Sequence, residues 1–216
     1  MGVLRKGILG GFSGKTGSVV GVRYRNNDII RSHPEWIKKK RRSPRVKRHC
    51  DRFGAAARFV SNARSLARIG FVENRASRNF LNDGIAANLS NIKVVDGQIE
   101  MDFPQLKLSQ GKLPIIDRFR VEEQSTERLL LVWDRNDNFN IDGEACMIHL
   151  LVYRDDMCYL KCYRSKVKAS DLRFELSLTD DMQGHKLHLY AFYSLPDAQT
   201  NDHISATSYT HCSAIP

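Results

Sequence analysis

Lys186-Leu187-His188-Leu189-Tyr190-Ala191-Phe192-Tyr193 sets Leu187, Leu189, Ala191 and Tyr193 in alternation with His188, Tyr190 and Phe192. A period of two is the mark of a β-strand, whose successive side chains point to opposite faces. Working outward, runs of the same kind recur at Phe119–Glu122, Arg128–Trp133, Cys146–Arg154, Met157–Arg164, Leu172–Leu178 and Ile204–Cys212, each bounded by polar turns. Seven short strands in about 100 residues predict a β-sandwich of immunoglobulin or fibronectin type, with Trp133 as a core aromatic.

Upstream of these strands the pattern changes. Pro104 and Gly111-Lys112-Leu113-Pro114 punctuate a linker, and Val95-Asp96-Gly97-Gln98 has the composition of a tight turn. Farther back, Ser43-Pro44 is a helix start, serine at the N-cap and proline in the first turn. Val46, Cys50, Phe53, Ala57 and Val60 follow at spacings of four and three, one apolar helix face, and Gly70 is the expected stop. A second helix is expected from about Asn74 to Leu89, carrying Phe80, Leu81, Ile85 and Leu89 inward. The first residues differ again. The stretch from Leu4 to Lys15 is glycine-rich and reads as loop. Thr16–Arg25 and Ile29–Ser32 read as a β-hairpin turning at Asn26-Asn27-Asp28. His33-Pro34 ends it.

The predicted class is therefore α+β: an N-terminal β-hairpin plus two helices, then an immunoglobulin/fibronectin-like β-sandwich. The predicted boundaries are a basic hairpin–helix module over residues 1–90, a linker with short strands over 91–114 and the sandwich over 115–216.

Charge divides the chain in the same sense. The first 80 residues carry 20 Lys/Arg against 4 Asp/Glu, and the remaining 136 carry 14 against 20. Such asymmetry is typical of a polyanion-binding arm joined to another domain. The candidate contacts are Lys15, Arg23, Arg25 and Arg31 from the hairpin, the run Lys38-Lys39-Lys40-Arg41-Arg42, and Arg45, Lys47, Arg48 and Arg52 from the first helix. Arginine's forked donors suit phosphate oxygens, and each neutralised phosphate releases counterions. Arg23 and Arg25 are expected on one strand face and Tyr24 on the other. With no base-reading motif, binding is expected to be backbone-driven and tolerant of sequence.

Other chemistries fit less well. Gly10-Gly11-Phe12-Ser13-Gly14-Lys15-Thr16 resembles a phosphate-binding loop, but that motif needs a glycine where Leu9 stands and a helix after the threonine, where strand is predicted. Cys158 and Cys162, four apart on a strand, lie about 13 Å apart, too far to share a zinc ion. Asp134, Asp137 and Asp142 lack the spacing of a calcium loop. The five cysteines, Cys50, Cys146, Cys158, Cys162 and Cys212, contain no Cys-x-x-Cys pair and read as reduced thiols. No apolar stretch approaches the roughly 20 residues of a membrane span, and no sustained apolar core of a secretory signal stands at the N-terminus. These readings predict a cytoplasmic, non-enzymatic protein without cofactor, metal or membrane contact.

Gly11-Phe12-Ser13-Gly14-Lys15-Thr16-Gly17-Ser18-Val19-Val20-Gly21, Ile29-Ile30-Arg31-Ser32-His33-Pro34 and Arg52-Phe53-Gly54-Ala55-Ala56, with Gly111-Lys112-Leu113-Pro114 later, resemble an uncharacterised Bacteroidetes family, a domain of unknown function. The resemblance implies an opening hairpin, a basic segment, a helix and a closing fibronectin-like sandwich, and brings no catalytic residues. The opening also resembles some phage-encoded structural proteins. Two readings follow. One is a nucleic-acid-associated protein gripping DNA or structured RNA through phosphates, or an acidic protein surface in their place. The other is a structural subunit of a phage-like particle or another large or homo-oligomeric assembly.

Overall fold

The computed structural model describes residues 2–4, 12–24, 27–33, 43–72, 79–125, 127–135, 146–154, 160–196 and 201–213. Backbone contacts divide it into two units, Met1–Arg42 and Ser43–Pro216. The division falls before the first helix, away from the boundaries expected at 90 and 114. The described elements are helices, strands in antiparallel sheets and short 3-10 turns, an α+β protein.

In the first unit, β1 (Gly2–Leu4), β2 (Gly14–Thr16), β3 (Val19–Tyr24) and β4 (Asn27–Ser32) form one antiparallel sheet in the order β1-β4-β3-β2. The expected hairpin is its centre, with Tyr24 opposite Asn27. The Leu4–Lys15 stretch read as loop supplies the last residue of β1 and the start of β2. Gly21 is buried beneath Phe12, and a Cβ there would collide with the Phe12 carbonyl.

The second unit has three layers. The 19-residue helix α1 (Pro44–Asn62) starts where the sequence predicts, the Ser43 hydroxyl accepting from Val46 N–H. It ends before Ala63, and the shorter α2 (Arg64–Gly70) continues to the expected stop. There the chain must pass close, since a Cβ on Gly70 would strike the Leu108 carbonyl. Helix α3 (Phe80–Leu89) is capped by Asn79 and starts later than expected; residues 73–78 lie outside the described set.

Strands β5 (Ile92–Val95) and β6 (Gln98–Met101) flank the tight turn read from sequence, with Asp96 and Gly97 both at positive φ, +49° and +84°. That is the geometry of a two-residue hairpin loop matching strand twist. The segment expected to be a linker is instead fastened down. Leu108 and Ser109 N–H both donate to Thr207 Oγ1, Gln110 N–H donates to Gly70, and Leu113 bridges Ser205. Buried Asn88 stitches α3 to it. Its Oδ1 accepts from Lys107 N–H, and its Nδ2 donates to the Lys107 and Gly84 carbonyls.

All seven strands expected after residue 115 are present: β7 (Asp117–Gln124), β8 (Arg128–Asp134), β9 (Met147–Arg154), β10 (Leu160–Lys168), β11 (Arg173–Ser177), β12 (Lys186–Ser194) and β13 (Ser208–Ser213). They form two sheets, ordered β11-β8-β7 and β10-β9-β12-β13.

The larger sheet is buried on both sides. Leu150 and Val152 of β9, with Leu187, Leu189 and Ala191 of β12, share one core with Leu129, Leu131 and Trp133 of β8. Their alternates Leu151, Tyr153, Tyr190 and Phe192 share a second core with Phe59, Val60, Leu66 and Phe71 of the helical segment. The period-two alternation of Leu187–Tyr193 thus sorts side chains between two apolar layers, and Tyr190 hydrogen-bonds the Phe103 carbonyl from the helical side.

One expected face is corrected. Val46 and Phe53, predicted to point inward, are 46% and 49% exposed. Of the expected face Val60 is buried, and α1 buries Ala55, Ala56 and Phe59 with it. Phe59 meets Tyr153 and Tyr190 edge-on, which sets the buried side by ring packing.

Candidate nucleic-acid interface

The candidate cations fall in both units, and each unit is described by itself. In the first, the register aligns Lys15 with Val20 and Val20 with Arg31, so these three share a face. Two strand spacings put the two cations about 10 Å apart. Both residues are exposed, and exposed Tyr24 shares their face, two pairs along the strand. Arg23 is on the opposite face, where its cross-strand neighbour is Asp28. Tyr24 faces away from Arg23, as expected, and by register shares the face of Lys15 and Arg31. Arg25 lies outside the described residues, as do Lys38, Lys39, Lys40, Arg41 and Arg42.

In the second unit the candidates are on α1. Every residue from Ser43 to His49 is exposed, so the first two turns stand clear of the core. Arg45, Lys47 and Arg48 lie in these turns, and among the described residues no carboxylate pairs with them. Helices at their first turn favour acidic residues, because the macrodipole is positive there. This first turn has none. Arg45 and Lys47 stand where the helix itself disfavours cations, Arg48 lies just beyond, and among the described residues none has a partner carboxylate.

Arg52 is different. Half-buried, it donates from Nε to the Ile92 carbonyl at 2.8 Å and from Nη2 to the Leu89 carbonyl at 2.7 Å. Leu89 ends α3, so its carbonyl is among those a helix leaves without an internal partner. The arginine's position in the Arg45–Arg48–Arg52 rhythm is right, but its donors serve the fold. The sequence reading also passed over Arg58, Arg64 and Arg68, all exposed on α1 and α2. Arg64 lies 5.7 Å from the centre of the Phe80 ring. Arg58 and Arg64 each follow the preceding arginine by six residues, off the three-and-four rhythm of Arg41–Arg52, so that spacing does not mark them.

Elsewhere a few charged groups form ion pairs. Asp134 accepts from Arg120 at 3.0 Å and Arg118 at 3.3 Å, and the Arg120 hydrogen bond leads in lowering its pKa. Lys112 lowers that of Asp202 in the same way from 2.7 Å. Among the described residues no cluster of three or more His, Cys, Asp or Glu has metal-binding geometry, and no helix is long and apolar enough to cross a membrane. Cys146 and Cys212 are buried in the core between the sheets, where desolvation pushes each thiol up to about 11 and keeps it protonated at neutral pH. Cys158 lies outside the described residues.

No protein-family model matches this chain, and no curated protein matches it.

Proposed function

We propose that the protein is a non-enzymatic nucleic-acid-associated binding protein whose basic N-terminal region meets the phosphate backbone and whose β-rich region contacts other proteins. The observation that carries the reading is the exposed first two turns of α1, with Arg45, Lys47 and Arg48 free of any carboxylate partner among the described residues. The Lys15–Arg31 face of the first unit adds two exposed cations to the same chemistry. The two sheets support an immunoglobulin/fibronectin-like protein-binding module. In such sandwiches strands A, B and E share one sheet while C, F and G share the other. Here the first, second and fifth of the seven strands pair together, as do the third, sixth and seventh.

Mobility-shift titration over a salt series tests the reading. The logarithm of affinity for a duplex should fall linearly with the logarithm of salt concentration, each neutralised phosphate adding about 0.9 to the slope. Replacing Arg45, Lys47 and Arg48 together by Ala should lower the slope by about 2 to 3. Arg52 is left intact, because its loss disturbs the fold. Affinity indifferent to salt and to these substitutions rejects the proposal. An exposed Val46–Phe53 face beside the same cations favours a second reading, docking on an acidic protein surface within a larger assembly; retained binding to an acidic polypeptide with no nucleic-acid binding would select it.

A further inference from the structure

Resting on that reading, we infer that one face of the N-terminal sheet is a platform for single-stranded nucleic acid, its apolar floor meeting unpaired bases and its flanking cations the phosphates. The face is fixed by register. Lys15, Val20 and Arg31 make one row across β2, β3 and β4, Val22 and Ile29 make the next, and Tyr24 and Asn27 the third. Rows on one face repeat every two residues, about 6.7 Å, so Tyr24 stands about 13 Å along the strand from the cation row. Lys15, Arg31 and Asn27 are exposed, and Val20, Val22 and Ile29 are half-buried. Tyr24 is 57% exposed.

The two sides of this sheet differ. Phe12 lies over Gly21, on the face that also carries Val19 and Arg23. Asp28 is on that side too, opposite Arg23. It is the one carboxylate among the described residues of the first unit, so the Val20 face holds its two cations without an acidic neighbour. Among the described residues of this unit Gly21 alone is buried. A half-exposed apolar floor gains from a partner that removes it from water.

The chemistry of the face selects the partner. A second copy would bring the same positive charge against it, which opposes that pairing. A duplex turns phosphates and sugars outward and stacks its base faces inside. It would satisfy the cations and leave the floor and the tyrosine uncovered. A single strand offers both parts: base faces that stack on an aromatic ring or lie against aliphatic side chains, and phosphates that reach cations on either side. Residues 1–42 carry 11 Lys/Arg against 2 Asp/Glu, a charge that draws a polyanion toward this face.

The test uses the full chain with a 20-nucleotide DNA strand and with the duplex of the same sequence, at matched salt. The strand is expected to bind about tenfold tighter than the duplex. Tyr24→Ala should weaken strand binding about tenfold, and Tyr24→Phe, which keeps the ring, should bind as the parent does. Neither change should alter duplex binding or the circular dichroism of the exposed site's surroundings. Replacing Lys15 and Arg31 together by Ala should lower the salt slope for the strand by about 1.4, at about 0.7 per phosphate. With the unaltered chain, a strand carrying the photoreactive base 5-iodouracil should crosslink to Tyr24, as read by mass spectrometry of the adduct. Salt-dependent binding that is as tight for the duplex as for the strand, an unchanged affinity in Tyr24→Ala, or an adduct that avoids Tyr24 overturns the platform while leaving the phosphate reading standing. Binding to neither strand nor duplex overturns both.

Discussion

His149 is 1% exposed, its Nε2 is 2.7 Å from Ser194 Oγ, and its ring is 5.0 Å from that of Phe192. Desolvation first, and the Arg164 charge second, hold its pKa down to about 4, against an ordinary 6.5. The unfolded chain therefore takes up this proton before the folded chain does. Stability is full above about pH 6.5 and is lost as pH falls toward 4. By pH 5 the loss from this one residue is about 2 kcal/mol. Urea midpoints at pH 7 and pH 5 measure it, and His149→Gln should remove most of the difference between them. An unchanged pH dependence in that variant would show that the imidazole takes its proton while folded. In the sequence His149 was one histidine among seven. Nothing local separates it from exposed His211; only pairing with Phe192 across β9 and β12 puts it inside.

At the scale of elements, Arg52 shows how a correct pattern gives an incomplete role. Helix α1 is legible from Ser43-Pro44 onward, and so is the arginine rhythm along it. What the sequence does not carry is how far the core extends along the helix. That limit is set by β5 and the end of α3, to which Arg52 is bonded. N-terminal to Arg52 the cations are exposed; beyond it the helix is buried through Ala55, Ala56, Phe59 and Val60. The inward face was missed for a related reason. Val46, Cys50 and Phe53 outweigh two alanines on any hydropathy scale, but small Ala55 and Ala56 let the helix lie close to its neighbours. Arg52→Met keeps the aliphatic stem and removes the donors. Losing two charge-assisted bonds to main-chain carbonyls should cost about 2–3 kcal/mol in urea unfolding. The salt slope of nucleic-acid binding should stay within experimental error of the parent. A slope reduced by about 1 with stability unchanged would return Arg52 to the interface.

At the scale of the molecule, charge and layers are distributed differently. Residues 1–42 carry 11 Lys/Arg and 2 Asp/Glu, whereas residues 43–216 carry 23 and 22. The second unit is therefore nearly neutral as a whole, its positive helices and negative strands belonging to one folded body. The seven strands were readable because each is short, alternating and bounded by turns. The third layer left a less specific mark: a strand buried on both faces reads as a near-continuous apolar run, as Leu150-Leu151-Val152-Tyr153 does, and such a run does not say whether a helix or a second sheet covers it. Tyr190 and Phe192 do not announce in sequence that helices cover them. The consequence is a test of where the fold can be cut. A fragment of residues 115–216 keeps both sheets but uncovers Leu151, Tyr153, Tyr190 and Phe192, all buried in the intact unit. It also loses Ser109 and Leu113, which tie the chain to Thr207 and Ser205. Such a contiguous apolar face drives association. Residues 43–216 should elute as a discrete species and unfold in one cooperative transition, while residues 115–216 should aggregate or bind a hydrophobic dye in size-exclusion and fluorescence assays. A well-behaved 115–216 fragment with a sharp transition of its own would mean that the sandwich stands without its helical cover, and that the helices are an appended module rather than the third layer of one core.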